Sequence, residues 1–301
     1  MAANLERLRL LHAVASHGSI AGAARAVGYT PSAVSQQLAA LERDVSASLL
    51  ERSNRGVTLT RSGELLSERA SVILDLVDAA VDEAGHDGTP DAPSRIRIGA
   101  FPTAISALLL PALASLKGSI ALTIVDVEPG QALAALLARD LDAAIVDRYD
   151  NQVDELPGSL EHRTLLVEPL RVIVGTRRRL PVRLTDLIEA SWVLGAETSR
   201  LGRATRAICH AAGFDPRVLA ETDDHRVAFD IVRGAGAVTM QPALTLSDSP
   251  RMVAAPIDLG CMRHIDFVVR SVPAPRPVGL PARSPLSFVA EVLASTAAAR
   301  G

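Results

Sequence analysis

The stretch that most narrows what this chain can fold into is residues 19–61, SIAGAARAVGYTPSAVSQQLAALERDVSASLLERSNRGVTLTR. Its punctuation dictates two short helices across a tight turn, then a hairpin. Ser19 is placed to cap a helix through Ala21, Ala23, Ala24 and Val27, whose small side chains let a second helix approach closely. Gly28 stops that helix, because glycine takes the positive φ of a helix C-terminus without steric penalty. Thr30 supplies the next N-cap hydroxyl, and Pro31 takes the first helical position, where its missing N–H is harmless. The second helix buries Val34, Leu38 and Leu41, spaced four and three apart on one face. Its other face shows Ser32, Ser35, Gln36 and Ala39, small or amide-bearing and uncharged. Such a face suits the DNA major groove, where serine and glutamine reach base edges and small residues let the helix seat deeply. Thr30, Pro31, Ser32, Ala33, Ser35 and Gln36 are therefore the candidate contacts. The following LLERSNRGVTLT reads as a wing: two extended runs flank the turn triplet Asn54-Arg55-Gly56, and Arg52 and Arg55 are placed to meet phosphates. An ordinary helical hairpin with a solvated polar face is the competing reading. The ordered set of turn, polar face and basic wing argues against it.

Residues 5–66 resemble the N-terminal domain of the LysR-type transcriptional regulators. The matching elements are Leu8-x-x-Leu11 with Val14-Ala15, Gly18-Ser19-Ile20, Ala23-Ala24, Thr30-Pro31-Ser32-Ala33-Val34-Ser35, Leu41-Glu42, Leu49-Leu50-Glu51-Arg52 and Leu59-Thr60-x-x-Gly63. The spacing holds without insertions. Leu11, Ile20 and Leu50 stand where many members carry phenylalanine, which are apolar core exchanges.

The length of 301 residues allows two or three compact units, each able to bury a core. An apolar fraction of 48% and a charged fraction of 22% describe a soluble globular chain, and with only 3% aromatics its cores must be filled by alanine, leucine and valine. No run of about 18 uncharged apolar residues occurs, so no transmembrane helix and no membrane partner are expected. The opening MAANLERLRLL mixes both charge signs in an amphipathic helix, unlike a signal peptide. Cys209 and Cys261 lack metal or redox spacing and read as buried, inert thiols. These features point to the cytoplasm.

A net charge of −3 looks wrong for a DNA binder until it is divided. Residues 1–63 hold seven arginines against four acids, giving +3, while the remainder carries −6. The positive charge lies in the proposed DNA-binding part, but it is modest, so tight binding is expected to need two copies on one site.

From Thr60 to about Glu83 the pattern is one helix. Leu66, Ala70, Ile73, Val77 and Ala80 recur at alternating four and three residues, an a/d stripe that marks a dimerisation helix. The domain layout is then a winged helix-turn-helix over 1–62, a linker helix over 63–84 and a polar hinge over 85–94. An α/β region over 95–301 follows. It alternates strands at 96–99, 121–127, 143–146, 170–175, 192–194, 218–222 and 237–240 with helices at 103–116, 130–138, 184–189, 200–212 and 225–234, and ends in a helix at 286–298. This rhythm implies parallel sheets. By its order of elements, and by IRIGAFPTA, DLDAAIV and DIVRGAGAVTMQP, the region resembles the family's effector domain. The resemblance implies type II periplasmic-binding-protein architecture, two α/β lobes with a ligand cleft between them. Lobe 1 would take about 95–167 and 267–301, and lobe 2 about 168–266. It also implies paired linker helices, hence a homodimer or homotetramer, with promoter DNA and RNA polymerase as partners.

Ligands of open α/β sheets sit beyond the carboxyl ends of strands, where helix N-termini present free N–H groups. Thr103, Thr198, Ser199, Arg200 and His225 occupy such places, and Arg148 with Tyr149 follows the strand at 143–146. Thr103 also reads as a helix cap. Hydroxyls, helix ends and cations together suggest a small anionic or polar effector, although Glu197, Asp223 and Asp224 in the same segments could reverse the sign. Enzyme signatures are missing: there is no HExxH, GxSxG or Walker loop, and Gly234-Ala235-Gly236 comes at a helix end. No catalytic residue, metal or cofactor is expected. A solute-binding protein without a transcriptional role is the alternative that the C-terminal two-thirds alone would allow.

Overall fold

Local signals set the first three helices. The computed structural model describes residues 4–53, 56–85, 93–152, 156–176, 179–246, 251–271 and 285–299. In it α1 (Leu5–His17), α2 (Ile20–Val27) and α3 (Pro31–Val45) pack as a triangle. Gly18 and Gly28 end α1 and α2 with φ of 64° and 74°, the left-handed values that glycine takes freely. Ser19 and Thr30 accept the backbone N–H of Gly22 and Ala33 at 3.0 and 3.2 Å. Leu8, Leu11, Val14, Ala23, Ala24, Val34, Leu38 and Leu41 close the core.

A hairpin of β1 (Leu50–Ser53) and β2 (Gly56–Leu59) forms the wing, with Leu50 opposite Leu59 and Ser53 opposite Gly56. Glu42 fixes it to α3: its Oε1 accepts the N–H groups of Leu49 and Leu50 at 2.8 and 3.1 Å. The 25-residue helix α4 (Arg61–Gly85) begins under a Thr60 cap, which accepts Gly63 N–H at 3.0 Å and donates to Ser48 O at 2.7 Å. Gly63 is required at that contact, since a Cβ there would lie 2.1 Å from Leu49 O.

The α4 stripe divides between two tasks, which corrects one expectation. Ala70 is 0% exposed and belongs to its own domain's core, with Leu66 packed beside it. It is therefore not free for a partner chain, because the inward seam of α4 is Gly63, Ser67, Ala70 and Leu74. Ile73 remains 39% exposed, Leu65 is exposed and Val77 is half-buried. The side chain of Ala80 and hinge residues 86–92 lie outside the described residues.

The effector region is built on one continuous sheet in the order β4-β3-β5-β11-β6-β9-β7-β8, with β10 paired to β6. In lobe 1, β3 (Ser94–Ala100) lies parallel to β4 (Ile120–Asp126) and β5 (Ala143–Tyr149). Between β3 and β4 run α5 (Pro102–Ala104), a π-helical turn (Ile105–Leu109) and α6 (Leu110–Leu116), and α7 (Pro129–Leu137) precedes β5. In lobe 2, β7 (Ser191–Leu194) lies parallel to β8 (Arg217–Glu221) and β9 (Val238–Pro242), with α8 (Arg200–Ala211) and α9 (His225–Ala235) as crossovers. The helix expected at 184–189 is a 3₁₀ turn, Leu184–Leu187. Lobe 1 is completed by α10 (Pro285–Ala298), whose Val289 and Leu293 enter its core.

Two strands pass between the lobes: β6 (Leu160–Gly175) and β11 (Met262–Arg270), which are antiparallel to each other. The lobe boundaries expected from the resemblance, at about 167/168 and 266/267, fall inside these two strands, but the residue pattern itself marked only the last third of β6 and no strand at β11. The reason lies in Glu168, Arg263 and Asp266, charged residues buried inside these strands, which break the alternation of apolar positions that marks a strand. The short strand β10 (Met252–Ala254) pairs with the lobe 2 end of β6.

Candidate functional site: a DNA-reading helix and an interlobe cleft

The N-terminus of α3 presents Thr30, Pro31, Ser32 and Gln36 exposed and Ala33 and Ser35 half-exposed, while Val34 and Leu38 anchor the helix from behind. Tyr29 is an exposed aromatic on the turn into that face, which sequence reasoning passed over because only the capping pair beside it carried a signal. Arg52 lies in β1, with its side chain outside the described residues. Arg55 lies outside them altogether.

A cleft of about 980 Å³ opens between the lobes. From lobe 1 it takes Phe101–Thr103, Asp126 and the start of α7 (Glu128–Gln131). From lobe 2 it takes Thr198–Leu201 and Asp223–Arg226, and its floor is Asp147, Tyr149, Gln241 and Arg263. Five of the six candidate effector residues line it: Thr103, Thr198, Ser199, Arg200 and His225. Arg148 does not. Successive side chains of a strand point to opposite faces, so β5 turns Asp147 and Tyr149 to the cleft and Arg148 away, onto Asp266 at 2.8 Å and His264 at 3.2 Å.

Thr103 is not a helix cap. It sits one residue inside α5, and its hydroxyl accepts a hydrogen bond from Arg263 Nη1 at 3.2 Å. Ser199 caps α8 by accepting Gly202 N–H at 3.0 Å, and Asp224 caps α9 through the N–H groups of Arg226 and Val227. His225 is held neutral, because burial pushes its pKa below the usual histidine range.

Sequence reasoning missed Asp126, Glu128, Asp147 and Gln241 of the lining and, most consequentially, Arg263, which is 3% exposed. Its Nε and Nη2 donate to Glu168 Oε1, with the Nε bond at 2.9 Å, and its guanidinium stacks over Phe101 at 5.4 Å. Glu168 Oε2 accepts the backbone N–H of Leu244. In the sequence Arg263 stands between Met262 and His264 with Asp266 close by, a mixed segment with no motif. Its partner lies 95 residues away.

The family profile of bacterial regulatory helix-turn-helix proteins of the lysR family matches residues 5–64, and that of the LysR substrate binding domain matches residues 91–279. The chain belongs to the LysR family. It is a DNA-binding transcriptional regulator with an effector-binding domain. A probable hydrogen peroxide-inducible genes activator of Mycobacterium avium is 31% identical over 78% of this chain and 76% of its own length. The transcriptional dual regulator GltC of Bacillus subtilis is 26% identical over 88% and 90%. Among solved structures, full-length OxyR from Pseudomonas aeruginosa superposes with a TM-score of 0.63 at 19% identity, covering 99% of this chain and 95% of that one. CbnR in complex with its target DNA gives 0.53 at 21%, covering 98% and 100%. These similarities show the shared fold. The curated relatives are regulators, which removes the solute-binding alternative.

This LysR chain also ties its reading head to lobe 1. His12 on α1 is buried, and its Nε2 meets the carbonyl of Leu137, the last residue of α7, at 2.6 Å. Ser16 donates to the same oxygen at 3.3 Å. His12 Nδ1 faces the Ser67 hydroxyl of α4 at 3.4 Å, and Arg139 Nη1 donates to Ser71 O of α4 at 3.0 Å. Burial, aided by Arg139 and Arg270, holds the His12 pKa below the usual range. A neutral imidazole with its proton on Nε2 satisfies both contacts. No helix among the described residues is long and apolar enough to cross a membrane.

Proposed function

We propose that this chain reads an inverted-repeat operator as a homodimer or homotetramer and changes its grip when a small polar effector fills the interlobe cleft. The paired α3 helices enter successive major grooves through Ser32, Ser35 and Gln36, with Arg52 and Arg55 on flanking phosphates. The outer face of α4, around Leu65, Ile73 and Val77, joins two copies. RNA polymerase is the further partner at the promoter, in the cytoplasm, and no catalysis by the chain itself is involved.

The observation that carries this reading is the path of α7. Its first turn, Glu128–Gln131, lines the cleft, and its last carbonyl is held by His12 and Ser16 of the DNA-binding domain. Lobe rearrangement around a ligand therefore reaches the reading head through one helix about 14 Å long. For this to regulate, the effector must bind one lobe arrangement better than the other.

The curated relatives named for hydrogen peroxide raise a second mode, a thiol switch, which the chemistry here disfavours. Cys209 and Cys261 are both buried; burial pushes the Cys209 thiol up to about 12 and raises Cys261 as well. The thiolate that would attack peroxide is scarce at neutral pH.

Selection from random duplex DNA by the full-length protein tests the proposal. An enriched inverted repeat is expected, and Ile73→Asp, which places an unpaired charge in the pairing face, should reduce the protected site to one half. A pool without an enriched motif refutes sequence reading. An unchanged footprint for Ile73→Asp removes α4 from the interface.

A further inference from the structure

The charge inside the cleft says what kind of effector fits it, on the reading that the cleft is the effector site. Carboxylates reach it from every side: Asp126 and Glu128 from lobe 1, Asp223 from lobe 2, Asp147 from the floor. Asp147 is 7% exposed. Its Oδ2 accepts the Tyr149 hydroxyl at 3.1 Å and faces Arg263 Nη1 at 3.9 Å, but its Oδ1 is buried without a hydrogen-bond partner. A buried carboxylate oxygen left unpaired is costly, and an incoming donor removes that cost.

Three of the four lining arginines are already engaged. Arg263 is committed to Glu168 and Thr103, so the buried floor holds two carboxylates to one guanidinium. Arg200 donates to the backbone carbonyl of Asp147, and Arg203 to that of Thr198 at 2.7 Å. Arg226 stands exposed at the rim, and His225 is neutral. Across the slot like charges oppose each other: burial and the nearby Asp223, Asp147 and Asp126 hold the Glu128 carboxyl above its usual range. The two walls and the floor of the slot thus share one sign of charge, which a cation between them would neutralise. Among the described residues no group of three or more histidine, cysteine or carboxylate side chains is arranged to hold a metal ion, and an organic cation is the class that the slot is matched to here.

We infer that the effector carries an ammonium or guanidinium group that seats between Glu128 and Asp223 and donates to Asp147 Oδ1. The cation draws the two lobes together by neutralising both walls. Thr198, on the lobe 2 side of the slot, remains for the polar end of the same molecule.

Isothermal titration of the full-length protein tests this, with putrescine, agmatine and L-arginine as cationic probes and succinate and 2-oxoglutarate as anionic ones. At least one cation should bind ten times more tightly than either dicarboxylate. Glu128→Gln, at the cleft mouth where folding is not at stake, should weaken that binding at least tenfold, and Asp147→Asn should do the same. Gly130→Trp blocks the slot, because a Cβ at Gly130 meets nothing within 4 Å and the indole projects from the lining. It should abolish binding. Cations that bind no better than the dicarboxylates, or that ignore Glu128→Gln, overturn the inference. A dicarboxylate that binds and is excluded by Gly130→Trp leaves the cleft standing and the cationic class refuted. A probe that binds Gly130→Trp as well as the parent removes the cleft itself.

Discussion

The DNA-binding domain and the effector domain keep their charges in different places. Among the described residues, the winged domain buries no ionised group; its buried polar side chains are His12 and Ser67, at the edge that meets lobe 1. The effector domain buries Asp147, Glu168, Arg263 and Asp266 on or beside the two strands that join its lobes. An apolar core holds one shape and leaves the exposed face of α3, the proposed reading surface, outside it. An ionic core between lobes makes stability depend on lobe position, and leaves a charge that a ligand can complete.

Removing Arg263 should break that contrast most severely. Arg263→Leu strands Glu168 and leaves Asp147 without its nearest cation, so a loss of about 3–5 kcal/mol is expected. Trp192, the chain's single tryptophan, lies in the lobe 2 core, so its fluorescence follows effector-domain unfolding in urea. A loss below about 1 kcal/mol would mean that the ion pair with Glu168 contributes little to holding the lobes.

On the winged side the expected effect is smaller and of another kind. Ser35→Ala and Gln36→Ala should each weaken operator binding by roughly 1–3 kcal/mol for every hydrogen bond to a base edge that the substitution removes, with folding stability unchanged. Competition between operator and random duplex separates the cases. Equal losses on both would take these residues off the reading surface.

The contact between the two regions should respond least, and to pH. The His12 pKa is lowered by burial, so its contribution is fully present above the ordinary value of about 6.5 and is lost as pH falls through the lowered value. A neutral hydrogen bond of this kind contributes about 1 kcal/mol. Protection of the last amides of α7, with exchange rates corrected for the pH dependence of the intrinsic amide rate, should fall in the parent as pH drops through the lowered His12 pKa and should stay level in His12→Gln, which does not titrate. An identical pH response in the variant would assign the effect to another group.

How much could be read beforehand follows the same division. Ser19, Gly28 and Thr30-Pro31 each act within a few residues of their own position, so α2, α3 and the exposed face of α3 were legible. The lobe strands with apolar runs, such as β5 and β7, were legible too. The cleft floor was not. Glu168 and Arg263 satisfy each other across 95 residues, and nothing near either one signals the pair. Arg148 shows how fine the limit is: the right strand end was found, but one step along it changes the face. His12 reads locally as part of an amphipathic helix, while its partner is a carbonyl 125 residues away.

The two passages between the lobes are strands bonded to each other in the middle of one sheet. A pair of separate loops would let the lobes swing apart like jaws. A hydrogen-bonded ribbon resists that bending and yields by winding about its own axis, the direction in which sheets already twist. The ladder shifts register between Ile265 and Asp266, and such an interruption is where the ribbon is most compliant. On the proposed mechanism the lobes would turn like the ends of a torsion bar, with displacement growing with distance from the axis, and what would travel outward along α7 to His12 is an angle.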